Sequence, residues 1–524
     1  MIKRLLIALV LSCCSAAAQG TIEHIVYISL ENRSFDELFG TLAGVQNYCR
    51  GGHSPNRCTN NQSTACATVG THDVCGPAWC EPIRCTTPTG PECSFGDTCP
   101  QITTYVTGSG AALKHEIPTQ IYGDTPHTQA AFDKQLANGA MNGWLTGASS
   151  LHYFTQADIP YRYRLATTYG IADNHFSSIG GPSQPGHAMM FAADSHASSD
   201  NPTTTITGQL SNPGEISGFG HSWTCGAYHT GSSAPYLYTG TLISIDATDG
   251  TQFFGGTNMS DRRKACTCRC PAGTKCGIST FSSSPCEDKV NGGWCDISRS
   301  LGGTPGAPCP SITTLADEAE SRGVTWGYYS FNSRWNAAAQ FQQIYFNRTR
   351  WVNHIHHDIQ FDSDASNCTA ASCSLPQLVW LSPDAAGNSE HPGDGTLTAG
   401  ESWLQSRLTP LLNNSYLYAH TVVFVTWDDW GGAYDHVPPP QTDNLPSLGM
   451  RVPLICVGPY CKRQITHTQF EFSSVLHCME RTFGLPTLNS RDAGAADACA
   501  GTGTLSSNTD GMVNLSQSPI PPIM

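Results

Sequence analysis

The chain has 524 residues, of which 39% are hydrophobic and 13% charged, and its formal net charge at pH 7 is −14. This length suits one large α/β domain with insertions, or two smaller domains. The negative charge argues against a protein that binds the nucleic-acid backbone, which would present Lys and Arg on one face. An acidic protein can still act on phosphate esters if a metal ion supplies local positive charge.

The first 18 residues have the pattern of a secretory signal peptide. A basic start at 1–4 precedes a short apolar run at 5–14 and small residues up to Ala18,. We predict cleavage near Ala18 and a secreted or periplasmic protein; the alternative is a buried N-terminal helix. No later stretch reaches about 18 apolar residues, so no transmembrane segment is predicted and any contact with lipid would be peripheral.

The cysteine count favours an oxidised protein. Two of the 24 cysteines lie in the signal segment, and the other 22 are predicted to form disulfides,. They are dense at 49–99 and at 266–309, inside two predicted insertions near 48–100 and 195–310, the second of which is a candidate lid. A zinc cluster at 266–276 is the less favoured alternative, because no CxxC pair is present there.

Hydrophobic runs and turn residues predict the secondary structure in chain order. In the first half, a strand is predicted at 23–30, a helix within 128–144, and a short helix and strand at 165–171,. After 311 we predict a helix from Thr314 to near Gly323, strands at 324–329, 377–381, 421–427 and 452–457, and a helix at 473–483,. This alternation indicates an α/β fold with a mostly parallel sheet sandwiched by helices. We expect a single domain at 19–500 and a frayed polar tail at 501–524.

Acidic and amide residues directly follow two of these strands. Asp428 and Asp429 come after the strand at 421–427, and two such carboxylates near a core are costly unless a cation neutralises them,. Glu31 and Asn32 follow the first strand and offer oxygen ligands. The alternative in each case is a solvated turn. Because the carboxyl ends of parallel strands share one edge of the sheet, these residues should converge.

A loop that enters a helix carries a candidate nucleophile, Ser183. We expect Ser183 to be the N-cap, with its hydroxyl at the positive end of the helix, where a phosphate oxygen is stabilised,. Simple capping is the alternative reading, and Ser177 and Ser178 are weaker candidates. His127 and His391 lie in two further turns next to prolines, where a structural role is the alternative.

Taken together, these segments resemble the bacterial phosphoesterase family of acid phosphatases and phosphatidylcholine-type phospholipases C, in the alkaline phosphatase superfamily. The matching motifs, in the family's order, are 31–40, Asp124-x-Pro126-His127, 153–160, 173–176 with 181–185, Glu390-His391-Pro392 and 428–440. They span nearly the whole chain except the two Cys-rich stretches. The resemblance implies an alkaline phosphatase-like fold with disulfide-rich insertions.

The resemblance also implies roles for individual residues. Glu31, Asn32, Asp428 and Asp429 match the ligands of a divalent metal site, which could hold one or two ions. Ser183 matches the nucleophile, and His127 and His391 match histidines that line the phosphate site. Asp435 and His436 fall in the family signature as supporting residues.

Two departures from the family pattern stand out. Many members have Pro-Asn-Arg after the nucleophile, whereas this chain has Pro185-Gly186-His187, so His187 could replace a substrate-binding side chain. The common Asp-Glu pair is here Asp428-Asp429, whose second carboxylate is shorter.

The sequence therefore predicts a secreted, metal-dependent hydrolase of phosphate esters that works through a phosphoseryl intermediate. A phospholipase C-like enzyme acting on phosphodiesters and an acid phosphatase-like enzyme acting on soluble monoesters both remain open. A secreted binding or adhesive protein with a degenerate site is the alternative of a different class.

Overall fold

The structure is a computed structural model that describes residues 21–42, 112–137, 141, 143–146, 150–195, 310–331, 336–345, 347–384, 386–440, 448–501 and 510–523, and the backbone of a few short strands in 66–107 and 241–294. The predicted signal peptide lies outside the described residues. So do the side chains of the two Cys-rich stretches and of the candidate lid.

A sheet of eight strands forms the centre of the protein. In chain order the strands are β1 (His24–Leu30), β2 (Ile171–Ala172), β3 (Trp326–Tyr329), β4 (Ile355–His356), β5 (Leu378–Leu381), β6 (Thr421–Trp427), β7 (Leu454–Val457) and β8 (Ile465–Thr466). Their order across the sheet is β4-β3-β5-β1-β6-β7-β2-β8. All neighbours are parallel except that β7 runs antiparallel to β6 and to β2. The prediction of a large, mostly parallel sheet is confirmed.

Twelve α-helices are described. Five of them lie where the sequence predicted a helix, whereas others, including the longest at Leu397–Asn413, were not predicted. The twelve are α1 (Phe35–Phe39), α2 (Gln129–Leu136), α3 (Pro160–Thr168), α4 (Ser183–Ala192), α5 (Leu315–Ser321), α6 (Gln342–Tyr345), α7 (Arg348–His354), α8 (Gln360–Ser366), α9 (Leu397–Asn413), α10 (Ser415–Ala419), α11 (Phe472–Phe483) and α12 (Ser490–Gly494). Thr314 and Asp317 form a capping box at the start of α5,. Gly484 ends α11 in the left-handed conformation, with φ of 66°,.

Helices cover both faces of the sheet. Successive residues of a strand point to opposite faces, and the neighbouring Tyr328 and Tyr329 show which helices lie on each side. The Tyr328 ring lies 5.8 Å from that of Phe191 on α4. The Tyr329 ring lies 5.6 Å from that of Phe361 on α8. The central strands are consequently buried on both faces, which explains why β1 and β6 are mostly apolar along their whole length,.

Residues 510–523 pack against the domain, whereas the sequence led us to expect a frayed end. The Lys462 N–H donates to Met512 O and the Ile520 N–H donates to Pro459 O, both over 2.8 Å. The side chains of Ile520 and Ile523 contact the main hydrophobic core. Met512 is itself part of that core and Val513 also contacts it. These four apolar side chains and the backbone hydrogen bonds hold a segment whose composition is otherwise polar.

Three disulfides lie among the described residues: Cys368–Cys373, Cys456–Cys461 and Cys478–Cys499. The prediction that cysteines of this chain are oxidised is confirmed for these six. Within the same part of the chain, no helix combines the length and the apolar character that crossing a bilayer requires.

Candidate active site

The carboxyl ends of β1 and β6 lie side by side at one edge of the sheet. Leu30 is in register with Trp427, so Glu31 and Asn32 leave the sheet next to Asp428. The Asn32 N–H donates to Asp428 Oδ1 over 2.8 Å. Residues almost 400 positions apart in sequence are therefore in direct contact, as the parallel register requires.

The two turns that follow these strands pack tightly against each other. Asn32 has φ of 58° and Gly431 has φ of 61°, both in the left-handed region. A Cβ atom on Gly431 would lie 2.2 Å from Asn32 O. Only glycine fits at this position, because any side chain would push the turn after Asp429 away from Asn32.

Ser183 reaches the same edge from α4. Its Oγ lies 3.2 Å from Asp429 Oδ2 and 3.1 Å from Asn32 Oδ1. The prediction that Ser183 is the N-cap is wrong by one residue, because Pro182 holds that position and Ser183 is the first helical residue. From the first turn of α4 the hydroxyl points across to the strand ends.

The two other serines considered as nucleophiles have structural hydrogen bonds instead. Ser177 Oγ donates to Ile179 O over 3.0 Å. Ser178 Oγ accepts the Phe472 N–H at the start of α11, also over 3.0 Å. Of the three candidates, it is Ser183 whose hydroxyl contacts the acidic strand ends.

The carboxyl groups at the strand ends are buried away from solvent. Glu31, Asp428 and Asp429 are each fully buried. Burial raises the pKa of Asp428 well above its ordinary value, and the adjacent Asp429 carboxylate raises it further. Burial also raises the pKa of Asp429 to about 7. Such a cluster is costly unless protons or a cation neutralise it.

The oxygen atoms at the strand ends are suitable ligands for a cation. The Asn32 side-chain oxygen faces other oxygens, at 3.1 Å from Ser183 Oγ and at 3.2 and 3.3 Å from the two Asp428 carboxylate oxygens. Turning the amide round would place its nitrogen there and its oxygen toward two imidazoles. With a cation among these oxygens, the first orientation is favourable, because carboxylate and amide oxygens are common ligands of divalent ions.

Two histidines face the Asn32 amide from separate turns. His127 Nε2 lies 3.1 Å and His391 Nε2 lies 3.2 Å from Asn32 Nδ2. Their Nδ1 atoms lie 2.7 Å from Thr125 O and 2.6 Å from Pro392 O. A carbonyl oxygen can only accept, so each Nδ1 carries a hydrogen, and Nε2 is the atom of each ring that faces the site,. With Asp124, these histidines form a second group of possible metal ligands.

His187 lies on the other side of the strand ends. Its Nε2 is 2.9 Å from Glu31 Oε1 and 3.8 Å from Asp428 Oδ2. Burial lowers the pKa of His187 to about 3, so the imidazole is neutral at physiological pH. It therefore belongs to the strand-end cluster and contacts Glu31 directly.

The last two residues predicted for the site, Asp435 and His436, belong to an adjoining buried cluster. Asp36 Oδ2 accepts the His436 N–H over 2.8 Å, and Arg451 bonds to both Asp36 and Asp435. Burial raises the pKa of Asp36 to about 7 and that of Asp435 to about 6, while Arg451 opposes both rises. This cluster holds the loop after Asp429 against α1.

A third buried network supports His391. The neighbouring Glu390 carboxylate bonds to the Arg162 guanidinium and accepts the Trp427 indole N–H. Arg162 also pairs with Glu401 on α9, with 3.1 Å between Nε and Oε2. The turn that carries His391 is thereby attached to the last residue of β6.

Sequence reasoning gave no role to Arg451, Arg162 or Asp36, although Asp36 and Glu390 stand inside recognised motifs. Arg451 has no charged neighbour in sequence and Arg162 stands two residues before Arg164, so neither shows a local pattern of ligand spacing. An arginine in the middle of an apolar segment, as Arg451 is before β7, is the one signal that could have drawn attention to a buried ion pair.

Comparisons with known proteins add to this geometry. The model of a family described as "Phosphoesterase family" matches residues 22–486. The non-hemolytic phospholipase C of Pseudomonas aeruginosa is 21% identical over 506 residues, which cover 88% of this chain and 54% of that protein. Phospholipase C B of Mycobacterium tuberculosis is 22% identical, with 91% of this chain and 76% of that protein covered. An acid phosphatase of Aspergillus fumigatus is 27% identical over 205 residues, covering 35% of this chain and 42% of that protein.

These names agree with the family that the sequence motifs indicated, so that prediction is confirmed. The chain spans about half the length of the Pseudomonas protein. Among solved structures, one described as Ps i-CgsB in complex with k-i-k-neocarrahexaose covers 65% of this chain and 68% of that chain, with 10% identity and a TM-score of 0.25, too low to bear on the fold.

Proposed function

The chain belongs to the phosphoesterase family, and from this premise we propose that it is an exported, metal-dependent enzyme that hydrolyses phosphate esters through a phosphoseryl intermediate on Ser183. An alkaline phosphatase-like arrangement of the sheet and the site is part of the proposal.

The observation that carries the proposal is the position of the Ser183 hydroxyl. It lies within hydrogen-bonding distance of both Asp429 and Asn32, which follow different strands. A serine that only capped its helix would bond to the helix's own N–H groups. A hydroxyl that instead faces buried carboxylates at the edge of a sheet is arranged as an activated nucleophile.

In the first step, Ser183 Oγ attacks the phosphorus atom of the substrate. The Oγ–P bond forms, the bond from phosphorus to the leaving oxygen breaks, and the hydroxyl proton moves toward Asp429 Oδ2, 3.2 Å away. The positive end of α4, a helix of ten residues, stabilises the phosphate oxygens beside Ser183,.

Glu31, Asn32, Asp428 and Asp429 would hold the metal ion. When bound, a divalent cation supplies positive charge that offsets the charge of the phosphate oxygens and favours the serine alkoxide. The buried carboxylates and the facing oxygen atoms of Asn32 and Asp428 support this assignment.

His127 and His391 would act as general acid and base for the leaving group and the attacking water. Their Nε2 atoms face the site, and carbonyl oxygens fix both rings through Nδ1. In protonated form either Nε2 can donate to the leaving oxygen, and the resulting neutral imidazole can then accept a proton from a water molecule whose oxygen bonds to phosphorus as the P–Oγ bond breaks. The proton held by Asp429 then returns to Ser183 Oγ.

The substrate class is proposed from the relatives' names. Phospholipase C and acid phosphatase relatives imply a phosphodiester with a lipid alcohol or a small monoester, respectively. Export is proposed from the N-terminal segment and agrees with the three disulfides, which form in oxidising compartments,.

The test is hydrolysis of p-nitrophenyl phosphate and p-nitrophenyl phosphorylcholine by the full chain, with and without a chelator. We expect one substrate to be preferred, activity to be lost with chelator and restored by a divalent ion, and Ser183→Ala to lower kcat about 1,000-fold or more without lowering Tm. Mass spectrometry of acid-quenched protein should find phosphate on Ser183.

The matched control is Ser177→Ala, which removes a hydroxyl from the same loop. Among the residues that the structure describes, this hydroxyl donates to Ile179 O and does not contact the strand ends. The variant should keep its activity. Full activity in Ser183→Ala, or no hydrolysis of either ester by metal-loaded wild type, would overturn the proposal.

A further inference from the structure

His187 and Ser183 lie on the same face of α4. They are four residues apart, which is about one helical turn, so both side chains point toward the strand ends,. Ser183 meets Asn32 and Asp429, while His187 meets Glu31 and Asp428. One helix therefore brings a hydroxyl and an imidazole to the two sides of a single acidic cluster.

The imidazole is held in place by the backbone of α4. Gly186, the residue before it, lies so close to the strand end that a Cβ atom there would be 2.5 Å from Asp428 O. The helix consequently contacts the backbone of Asp428 directly. His187 reaches the carboxylates from this fixed position and has only 1% of its surface exposed.

Nitrogen and oxygen atoms converge at this point. The Nε2 of His187 and carboxylate oxygens of Glu31 and Asp428 all lie within 4.8 Å of one another. Two ligand atoms bound at about 2.1 Å to one ion lie about 3.0 Å apart at right angles, and about 3.4 Å apart in the tetrahedral geometry usual for zinc. The distances of 2.9 Å from His187 Nε2 to Glu31 Oε1 and of 3.8 Å to Asp428 Oδ2 lie on either side of the tetrahedral value.

The other ring nitrogen of His187, Nδ1, makes no hydrogen bond to a described residue that would explain the orientation of the ring. Among the described residues, His187 Nδ1 has no hydrogen-bond partner. The polar contacts found for the ring there are those of Nε2 with the two carboxylates.

We propose that His187 is a ligand of the metal ion through Nε2, and that this nitrogen makes the site favour Zn²⁺ over Mg²⁺. Imidazole is a preferred ligand of zinc and other borderline metals, whereas Mg²⁺ and Ca²⁺ take oxygen ligands. This inference rests on the proposed metal-dependent function and adds a ligand and a metal preference to it.

The simpler alternative is that His187 only donates a hydrogen bond to Glu31. The variant His187→Gln separates the two roles, because the glutamine amide nitrogen takes the place of Nε2 as a donor but supplies no imidazole lone pair. If His187 only donates to Glu31, glutamine should preserve metal affinity. If His187 is a ligand, it should not.

The experiment uses the full chain, freed of metal by a chelator and reloaded with a stated ion. Competition titrations give the Kd for Zn²⁺ and Mg²⁺, and pulsed electron paramagnetic resonance of Mn²⁺-loaded protein detects nitrogen bound to the ion. We expect wild type to show a bound imidazole nitrogen and to bind Zn²⁺ more tightly than Mg²⁺. In His187→Gln the coupling from this nitrogen should be lost, and the Zn²⁺ affinity should fall by more than the roughly 10- to 100-fold typical for loss of a supporting hydrogen bond.

The matched control is His420→Gln. His420 precedes β6 at the opposite end of the sheet and bonds to Tyr416 O. It should keep both the nitrogen signal and the affinities. His187→Asn is a second variant in case His187→Gln does not fold; it adds no charge to the acidic cluster, and an oxygen in place of the imidazole nitrogen should shift the preference toward Mg²⁺.

The outcomes distinguish this inference from the function on which it rests. Suppose that wild type binds a divalent ion and hydrolyses esters. If it then shows no bound imidazole nitrogen, or if His187→Gln keeps both the nitrogen signal and the Zn²⁺ affinity, His187 is not a ligand and the enzyme assignment stands. If wild type binds neither Zn²⁺, Mg²⁺ nor Mn²⁺, both are wrong.

Discussion

Asp36 and Arg451, which are 415 residues apart in sequence, form a fully buried ion pair with 2.7 Å between Oδ1 and the guanidinium. The same guanidinium bonds to both carboxylate oxygens of Asp435 at 3.2 Å and to Asp173 O at 2.9 Å. It also lies 4.3 Å above the Phe35 ring. One cation thus joins α1, the loop after β6 and the turn after β2, the segments that frame the candidate active site.

Replacing Arg451 by methionine should destabilise the protein by about 3–5 kcal/mol, because two buried carboxyl groups would lose their cation. Methionine preserves much of the side-chain volume, so the loss reports charge and hydrogen bonds more than a cavity. The measurement is the free energy of unfolding in urea, followed by circular dichroism.

Lys114→Met provides the comparison for Arg451→Met. Lys114 pairs with Glu116 at 3.1 Å, but its side chain is 74% exposed, so its loss should cost about 0–1 kcal/mol,. Equal losses in the two variants would show that burial of the Arg451 cluster adds nothing to stability.

Glu390→Gln should lower kcat about 10-fold and leave KM nearly unchanged. Glutamine can still accept the Trp427 indole hydrogen, but it loses the charge that pairs with Arg162, so the turn that carries His391 should shift,. Glu390 acts here as a positioning residue, which is why the expected effect is on turnover and not on binding.

Glu401→Gln is the matched control, because Glu401 is the other partner of Arg162 but lies on α9, away from His391. Both variants should lose stability. A similar fall in kcat in both would mean that the network acts through general stability and not through His391.

Six of the eight strands of the main sheet could be predicted because their signals are local, whereas β4 and β8 lack an apolar run and were not predicted. An apolar run such as that of β1 or β6, ending abruptly in acidic residues, indicates a buried strand whose end faces a site. Once both strands are placed in one parallel sheet, the meeting of Asn32 and Asp428 follows from geometry. The direction of β7 could not be predicted, because a four-residue apolar run reads the same in either direction.

The ion pairs could not be predicted because they depend on long-range contacts. Nothing near Arg451 in sequence identifies Asp36 as its partner, and the partner is defined only after α1 and β7 are packed. The same holds for residues 510–523, whose polar composition conceals four apolar side chains in or against the core: Met512, Val513, Ile520 and Ile523.

Gly186→Ala should lower activity about 100-fold and stability by about 1–3 kcal/mol. The added methyl group would lie 2.5 Å from Asp428 O, so α4 must move away from the strand end and take Ser183 with it,. Activity and unfolding free energy should be measured together. Gly387→Ala, where the new methyl group meets no atom within 4 Å, should retain wild-type values of both; normal activity in Gly186→Ala would mean that the helix can adjust without moving the nucleophile.

Glu480→Gln should stabilise the protein increasingly as pH rises from about 5 to about 10. Burial on α11, together with the neighbouring Asp492 carboxylate, raises the pKa of Glu480 to about 10. The folded state therefore keeps a proton that the unfolded chain releases near its ordinary pKa, and stability falls with rising pH between the two values, by up to about 1.4 kcal/mol per pH unit. Glutamine is neutral in both states and removes this dependence.

Urea unfolding at several pH values would show the effect as two curves that meet near pH 4 and separate toward alkaline pH, with the variant more stable. Asp194→Asn neutralises an exposed carboxylate at the end of α4 and should leave the slope of the wild-type curve unchanged. Parallel curves for Glu480→Gln and wild type would instead mean that Glu480 is ionised in the folded protein. In that case its buried charge must be compensated by a cation, because a fully buried, unpaired carboxylate beside Asp492 would not be tolerated.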